Sequence, residues 1–177
     1  MSEKKEFIWI ARDYPRCTGC RRCEIACSLH HEGKIWPEAS RVRIFMLIPG
    51  VEIPHFCTQC YDYPCVKACP VGALATDTKT PAVLVDKEKC TGCGLCIDAC
   101  PGQIPLLHPR DKKALICDLC GGDPECVKIC QAARFNVLTI VRQMWSMNTR
   151  KLFARTPEDL TADVAVNLYG EKAKELI

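Results

Sequence analysis

The chain has 177 residues, 16 of them cysteine, and a formal net charge of +3 with every cysteine counted as a neutral thiol. That length is one ordinary domain or two small ones fused, and such cysteine density belongs either to disulfide scaffolds or to metal proteins. The opening Met1 to Ile10 carries charges but neither an apolar run of signal length nor a twin-arginine pair, so a reducing cytoplasm is expected, and with it metal rather than disulfides. The nearest approach to a membrane span, Phe135 to Met147, is short and broken by Arg142 and Gln143, so no membrane span is expected.

In chain order the first expected strand is Phe7 to Ile10. The first cysteine quartet follows as Cys17, Cys20, Cys23 and Cys27, spaced C-x2-C-x2-C-x3-C. A second strand is expected over Val42 to Ile48, ending at Pro49-Gly50. The second quartet, Cys57, Cys60, Cys65 and Cys69, widens the middle gap to four residues. Between Cys69 and Cys90 the run Pro70 to Thr76, the turn Asp77 to Pro81 and Ala82 to Val85 read as strand, turn and strand. The third quartet, Cys90, Cys93, Cys96 and Cys100, returns to the first spacing. The fourth, Cys117, Cys120, Cys126 and Cys130, has a five-residue gap that Gly121, Gly122 and Pro124 can turn.

The C-x2-C-x2-C-x3-C spacing is that of bacterial ferredoxins, where three close cysteines wrap one face of a [4Fe–4S] cubane and the fourth ligates the other cluster of a pair. Four quartets predict four [4Fe–4S] clusters, or three if the fourth quartet is incomplete. The second and third are expected to exchange their last cysteines within one module, and the first and fourth to make the other. A structural zinc site needs four ligands and has no use for the regular third cysteine, while C-x2-C partners are poorly placed to bridge as disulfides. Four oxidised cubanes at about −2 each with their thiolates would turn the balance to about −5. The basic excess is therefore compensation rather than a nucleic-acid footprint, and no basic patch with interleaved aromatics occurs.

His30, His31, His55 and His108 are expected at the surface or behind the ligands, since sixteen cysteines leave no ligand position open. Arg16, Arg21, Arg22 and Lys67, within or beside quartets, are either a solvated face or charges that raise cluster potentials. Thr156-Pro157-Glu158-Asp159 starts a helix, with Leu160, Val164 and Leu168 as its stripe and Gly170 as its end. That helix either packs on its own core or docks on another subunit. No Ser/His/Asp set, P-loop or G-x-G-x-x-G marks a catalytic or nucleotide site, so the chain is expected not to be an enzyme alone.

Over about residues 8 to 140 the sequence resembles the four-cluster iron–sulfur subunits of the dimethyl sulfoxide reductase type. The residues that carry the likeness are Cys17-Thr-Gly-Cys20-Arg-Arg-Cys23-Glu-Ile-Ala-Cys27, Pro64-Cys65-Val-Lys-Ala-Cys69-Pro70, Cys117-Asp-Leu-Cys120 and Pro124-Glu-Cys126-Val-Lys-Ile-Cys130. The resemblance implies an α+β fold of two fused bacterial-ferredoxin-like (βαββαβ) modules. The inner module is placed at about 49–111 and the outer at 7–48 plus 112–148, with a helical C-terminal tail over 149–177. It implies four ligand sets: Cys17, Cys20 and Cys23 with Cys130; Cys117, Cys120 and Cys126 with Cys27; Cys57, Cys60 and Cys65 with Cys100; Cys90, Cys93 and Cys96 with Cys69. Ser28 and Gln131 depart from the proline that often closes a quartet.

The phrase from Cys27 through His30, His31 and Trp36 to Phe45 is similar to the small subunits of tungsten-pterin enzymes of the aldehyde oxidoreductase type, such as tungsten-dependent benzoyl-CoA reductase. It implies a cytoplasmic hetero-oligomer of anaerobic metabolism. In it, this chain would relay single electrons to or from a large tungsten- or molybdenum-pterin catalytic subunit, with a further redox subunit or ferredoxin as the other partner. The alternatives are a free-standing polyferredoxin and the iron–sulfur subunit of a formate dehydrogenase or hydrogenase complex.

Overall fold

The computed structural model describes residues 8–142, 150 and 152–176. Phe7 of the first expected strand, and residues 143–149, 151 and 177 of the apolar run and tail, lie outside the described residues. Four two-stranded antiparallel sheets and short helices make up the described chain.

Strand β1 (Trp9–Arg12) pairs with the last strand, β8 (Leu138–Val141), with Trp9 opposite Val141 and Arg12 opposite Leu138. This closes the outer half around helices α1 (Arg22–Glu32) and α4 (Glu125–Ala132), which pack on each other. Its core is Ile8, Ile10, Val42, Ile44, Phe56, Leu119, Val127 and Leu138, together with Cys23, Cys27 and Cys126.

Strands β2 (Arg43–Ile48) and β3 (Val51–His55) form a hairpin, and Pro49-Gly50 make its turn, with Gly50 at φ +79° as a type II turn requires of its third residue. The inner half contains α2 (Pro64–Lys67), the hairpin β4 (Leu74–Thr76) and β5 (Val83–Val85), α3 (Leu95–Asp98), and the short hairpin β6 (Leu106–Leu107) and β7 (Ala114–Leu115). Its core joins Ala73, Leu74, Val83, Ala114 and Ile116 to Cys65, Cys90 and Cys96. The expected module boundary at 111/112 falls inside the β6–β7 hairpin, and the boundary at 48/49 falls inside the β2–β3 hairpin.

Helix α5 (Pro157–Tyr169) starts as its sequence predicts: the Thr156 side chain accepts from the Asp159 N–H at 3.2 Å and Pro157 occupies the first turn. Of the two readings of this helix, the described residues follow the first, because Leu160, Val164 and Ala165 pack against Tyr14, Ile48, Val51 and Ile53 of the same chain. The buried face is Leu160, Thr161, Val164 and Ala165, and Leu168 is 42% exposed. No described helix is long and apolar enough to cross a membrane.

Candidate metal centres

Each quartet is built by one local device. A left-handed residue turns the chain out of the C-x2-C loop and into a helix just before the third cysteine: Arg21 (φ 55°) before α1, Tyr63 (φ 43°) before α2 and Gly94 (φ 84°) before α3. The fourth quartet absorbs its longer loop with four consecutive left-handed residues, Leu119 to Gly122, before α4. The third and fourth cysteines of each quartet then lie four residues apart, one turn along the same face in α1 and α4 and with the fourth just past the C-cap in α2 and α3. A helix so placed stands between two sites and can serve one with each cysteine.

The cavities follow that pattern. One is lined by Cys17, Cys20, Cys23 and Cys130, which we term site I. Another is lined by Cys27, Cys117, Cys120 and Cys126, site II. A third is lined by Cys69, Cys90, Cys93 and Cys96, site IV. Cys57, Cys60, Cys65 and Cys100 form the remaining group, site III, where the Cys57 thiol has the other three as its charged neighbours.

Neighbouring sulfurs also link the sites into a line. Cys126 of site II interacts with Cys23 of site I, Cys117 of site II with Cys57 of site III, and Cys65 of site III with Cys96 of site IV. Of the sixteen cysteines only Cys20 and Cys93 are exposed, one at each end of that line.

Backbone N–H groups point at the sulfurs. Arg41 donates to Cys27 Sγ at 3.3 Å, Gln59 to Cys57 at 3.4 Å, and Ala114 to Cys90 at 3.4 Å. Ala73 donates to Cys69 at 3.2 Å and Ile104 to Cys100 at 3.5 Å, the same four-residue relation in the two halves of the inner module. Burial pushes the Cys23 and Cys57 thiols up to about 12, and those of Cys65 and Cys120 up to about 11. Bare thiolates are therefore disfavoured here, and a cationic metal has to displace the protons. The all-sulfur donor sets, the N–H donors aimed at them and the buried Gln59 amide, which has no partner of its own, fit iron–sulfur clusters.

His31 stands behind site II, with Nε2 3.9 Å from Cys120 Sγ and 3.4 Å from Asp118 Oδ1; burial pushes its imidazole down to about 4. His30 is exposed and meets His31 edge-on. His55 and His108 are neither on the surface nor beside a sulfur as described: both are buried, His55 against the Arg155 carbonyl and His108 between Glu32 and Asp111. Arg21 and Arg22 line site I, yet Arg21 is half exposed and paired with the buried Glu24, whose Oε1 accepts the Ile44 N–H at 2.7 Å. Arg16 pairs with Asp13, and Lys67 is exposed. Among the described residues the positive charges that reach deepest are Arg12 and Arg150, which nothing in the sequence marks, because an arginine beside a strand, or in a tail, carries no sign of burial.

Fold and sites together define an iron–sulfur protein of the ferredoxin kind. Residues 50–139, half of the chain, match the 4Fe-4S dicluster domain, and residues 14–29 match a 4Fe-4S binding domain. The chain belongs to the 4Fe-4S dicluster family. It is 51% identical, over 97% of its length and 99% of the relative's, to the aliphatic sulfonate oxidoreductase polyferredoxin-like subunit of Pyrococcus furiosus. It is 35% identical to the thiosulfate reductase electron transfer subunit PhsB of Salmonella typhi, over 68% of this chain and 70% of that one. Among solved structures, the active site complex BamBC of benzoyl coenzyme A reductase contains a chain 22% identical, covering 97% of each, with a TM-score of 0.45.

Proposed function

We propose that this chain is a non-catalytic electron-transfer subunit that carries single electrons through four [4Fe–4S] clusters, in the order site I, II, III, IV or the reverse. The reading rests above all on the linear succession of four cysteine sets with an exposed cysteine at each end. Cys17, Cys20, Cys23 and Cys130 would hold the first cluster; Cys27, Cys117, Cys120 and Cys126 the second; Cys57, Cys60, Cys65 and Cys100 the third; Cys69, Cys90, Cys93 and Cys96 the fourth. A cubane with four protein ligands has no open iron for substrate, so its chemistry is outer-sphere transfer of one electron. The protein's part is to hold the sulfurs, exclude water from the interior sites and leave the ends approachable.

A relay with two ends has two partners. One is read as a large tungsten- or molybdenum-pterin catalytic subunit, the other as a ferredoxin or further redox subunit, within a cytoplasmic hetero-oligomer. Two of the relatives carry the word subunit in their names, which supports a dedicated place in a complex. Anaerobic purification of the chain from its native cells tests the reading. A stoichiometric large pterin protein, with four one-electron reduction waves from this chain, is the expected result. Four waves without any bound subunit would leave a freely diffusing polyferredoxin instead.

A further inference from the structure

The segment Phe56 to Cys60, which carries two sulfurs of site III, is almost wholly shut away: Phe56 is 1% exposed, Thr58 and Gln59 0%, and Cys60 9%. Two arginines are shut away with it, Arg12 at 8% and Arg150 at 6%. Arg12 Nη2 donates to the carbonyls of Phe56 at 2.9 Å and Cys57 at 3.1 Å, and its guanidinium lies 3.8 Å from the Phe56 ring centroid. Arg150 Nη1 donates to the Gln59 carbonyl at 2.6 Å, and its charge interacts with Cys57 and Cys60. Arginine keeps its proton throughout the physiological range, so both charges are permanent.

Reducing a cluster adds one negative charge. In a buried, low-dielectric position that charge is costly, and burial alone would make site III hard to reduce. An interior relay station that lies far below its neighbours in potential is an uphill step for every electron. Two fixed cations against the ligand-bearing loop act in the opposite direction. At site I the lining Arg21 is half exposed and shares its charge with Glu24, and at site II the nearby Arg41 stands 4.0 Å from Glu32. Arg12 has no carboxylate among its described partners.

We propose that Arg12 and Arg150 set the potential of the cluster held by Cys57, Cys60, Cys65 and Cys100, lifting it toward those of its neighbours. The proposal rests on the reading that these four sulfurs hold one cluster. Both are positioning residues for electron transfer, acting through charge rather than as ligands.

The test is an EPR-monitored redox titration of the full, cluster-loaded chain, beside iron and sulfide assays. It compares the wild type with Arg12→Gln, Arg150→Gln, the double variant, and Arg12→Lys and Arg150→Lys. The wave belonging to site III is marked by its response to Cys60→Ser. In the Gln variants that one midpoint is expected to fall, further in the double variant, while the other three stay within titration error. Lys, which keeps the charge, is expected to restore it. Iron-complete Gln variants with all four midpoints unmoved, or with all four moved alike, overturn the proposal. If the Gln variants lose iron, the Lys variants decide: a midpoint held at the wild-type value supports the charge effect, and a fallen one overturns it. A wild-type chain with fewer than four waves would defeat the four-cluster reading itself, a result distinct from unmoved midpoints.

Discussion

The Nε2–H of His55 donates to the carbonyl oxygen of Arg155 at 3.1 Å, joining the end of β3 to a residue one hundred positions further along the chain. The same carbonyl lies 2.7 Å from where a Cβ on Gly102 would stand, and at the other end of α5 Tyr169 Oη donates to the Pro49 carbonyl at 3.3 Å. The C-terminal segment is thus threaded against site III and then laid over the β2–β3 hairpin. Deleting residues 150–177 is therefore expected to lower both melting temperature and iron content, with site III losing its metal first. Iron assay and the count of reduction waves check it; a truncated chain with full iron and unchanged melting would return the tail to the role of a docking arm alone.

The stripe on α5 is divided. Leu160 is 5% exposed and Leu168 42%. Leu160→Ala should cost about 2–5 kcal/mol, as buried leucine truncations do, and Leu168→Ala should stay within about 0.5 kcal/mol. Anaerobic denaturant titration of the two variants separates them.

Gly92, in the Cys90–Cys93 loop, has φ +72°, and a Cβ there would come within 2.3 Å of the Lys112 carbonyl oxygen. Both the backbone conformation and the space exclude a side chain. Gly92→Ala should displace the β6–β7 hairpin from site IV and release about four irons, whereas Gly33→Ala, where nothing stands within 4 Å, should keep its full iron despite its φ of +67°.

Crossed ligation makes a non-additive prediction. Cys27→Ser and Cys120→Ser each act on site II, so each should lower iron by about four and the double variant by no more than either. Cys27→Ser with Cys23→Ser, neighbours on one helix, should act on two sites and lower it by about eight. Iron per chain in the four preparations is the measurement. The reverse, about eight irons lost from Cys27 with Cys120 and about four from Cys27 with Cys23, would mean that each quartet closes on its own cluster.

What could be read from the sequence was whatever is decided locally. Cysteine spacing is such a feature, as are the β4–β5 hairpin around Asp77 to Pro81 and the capped start of α5, because a few adjacent residues fix each of them. Strand β3 was not anticipated: Pro54 removes a ladder donor and weakens the strand pattern, and only pairing with β2 holds Val51 to His55 extended. The line of sites was equally hidden, since it depends on sulfurs such as Cys117 and Cys57 meeting across the two halves. Charge misled in both directions. Arg16 and Lys67 beside the quartets lie at the surface, while Arg12, unmarked by local pattern, is buried against the Phe56 ring through contacts that only the folded chain makes.

The pairing of β1 with β8 also sets a timetable for biogenesis. Ribosomes deliver about 5–20 residues per second, and the four cysteines of site IV, with the β6–β7 hairpin that walls it, have all emerged while Cys117, Cys126 and Cys130 are still to be made. Site I lacks Cys130 and the far wall of Val137 and Leu138 until nearly the whole chain is out. A nascent chain stalled after residue 116 would therefore have site IV complete while its first-made cysteines wait for Cys130, and site III would still lack the tail that is threaded against it.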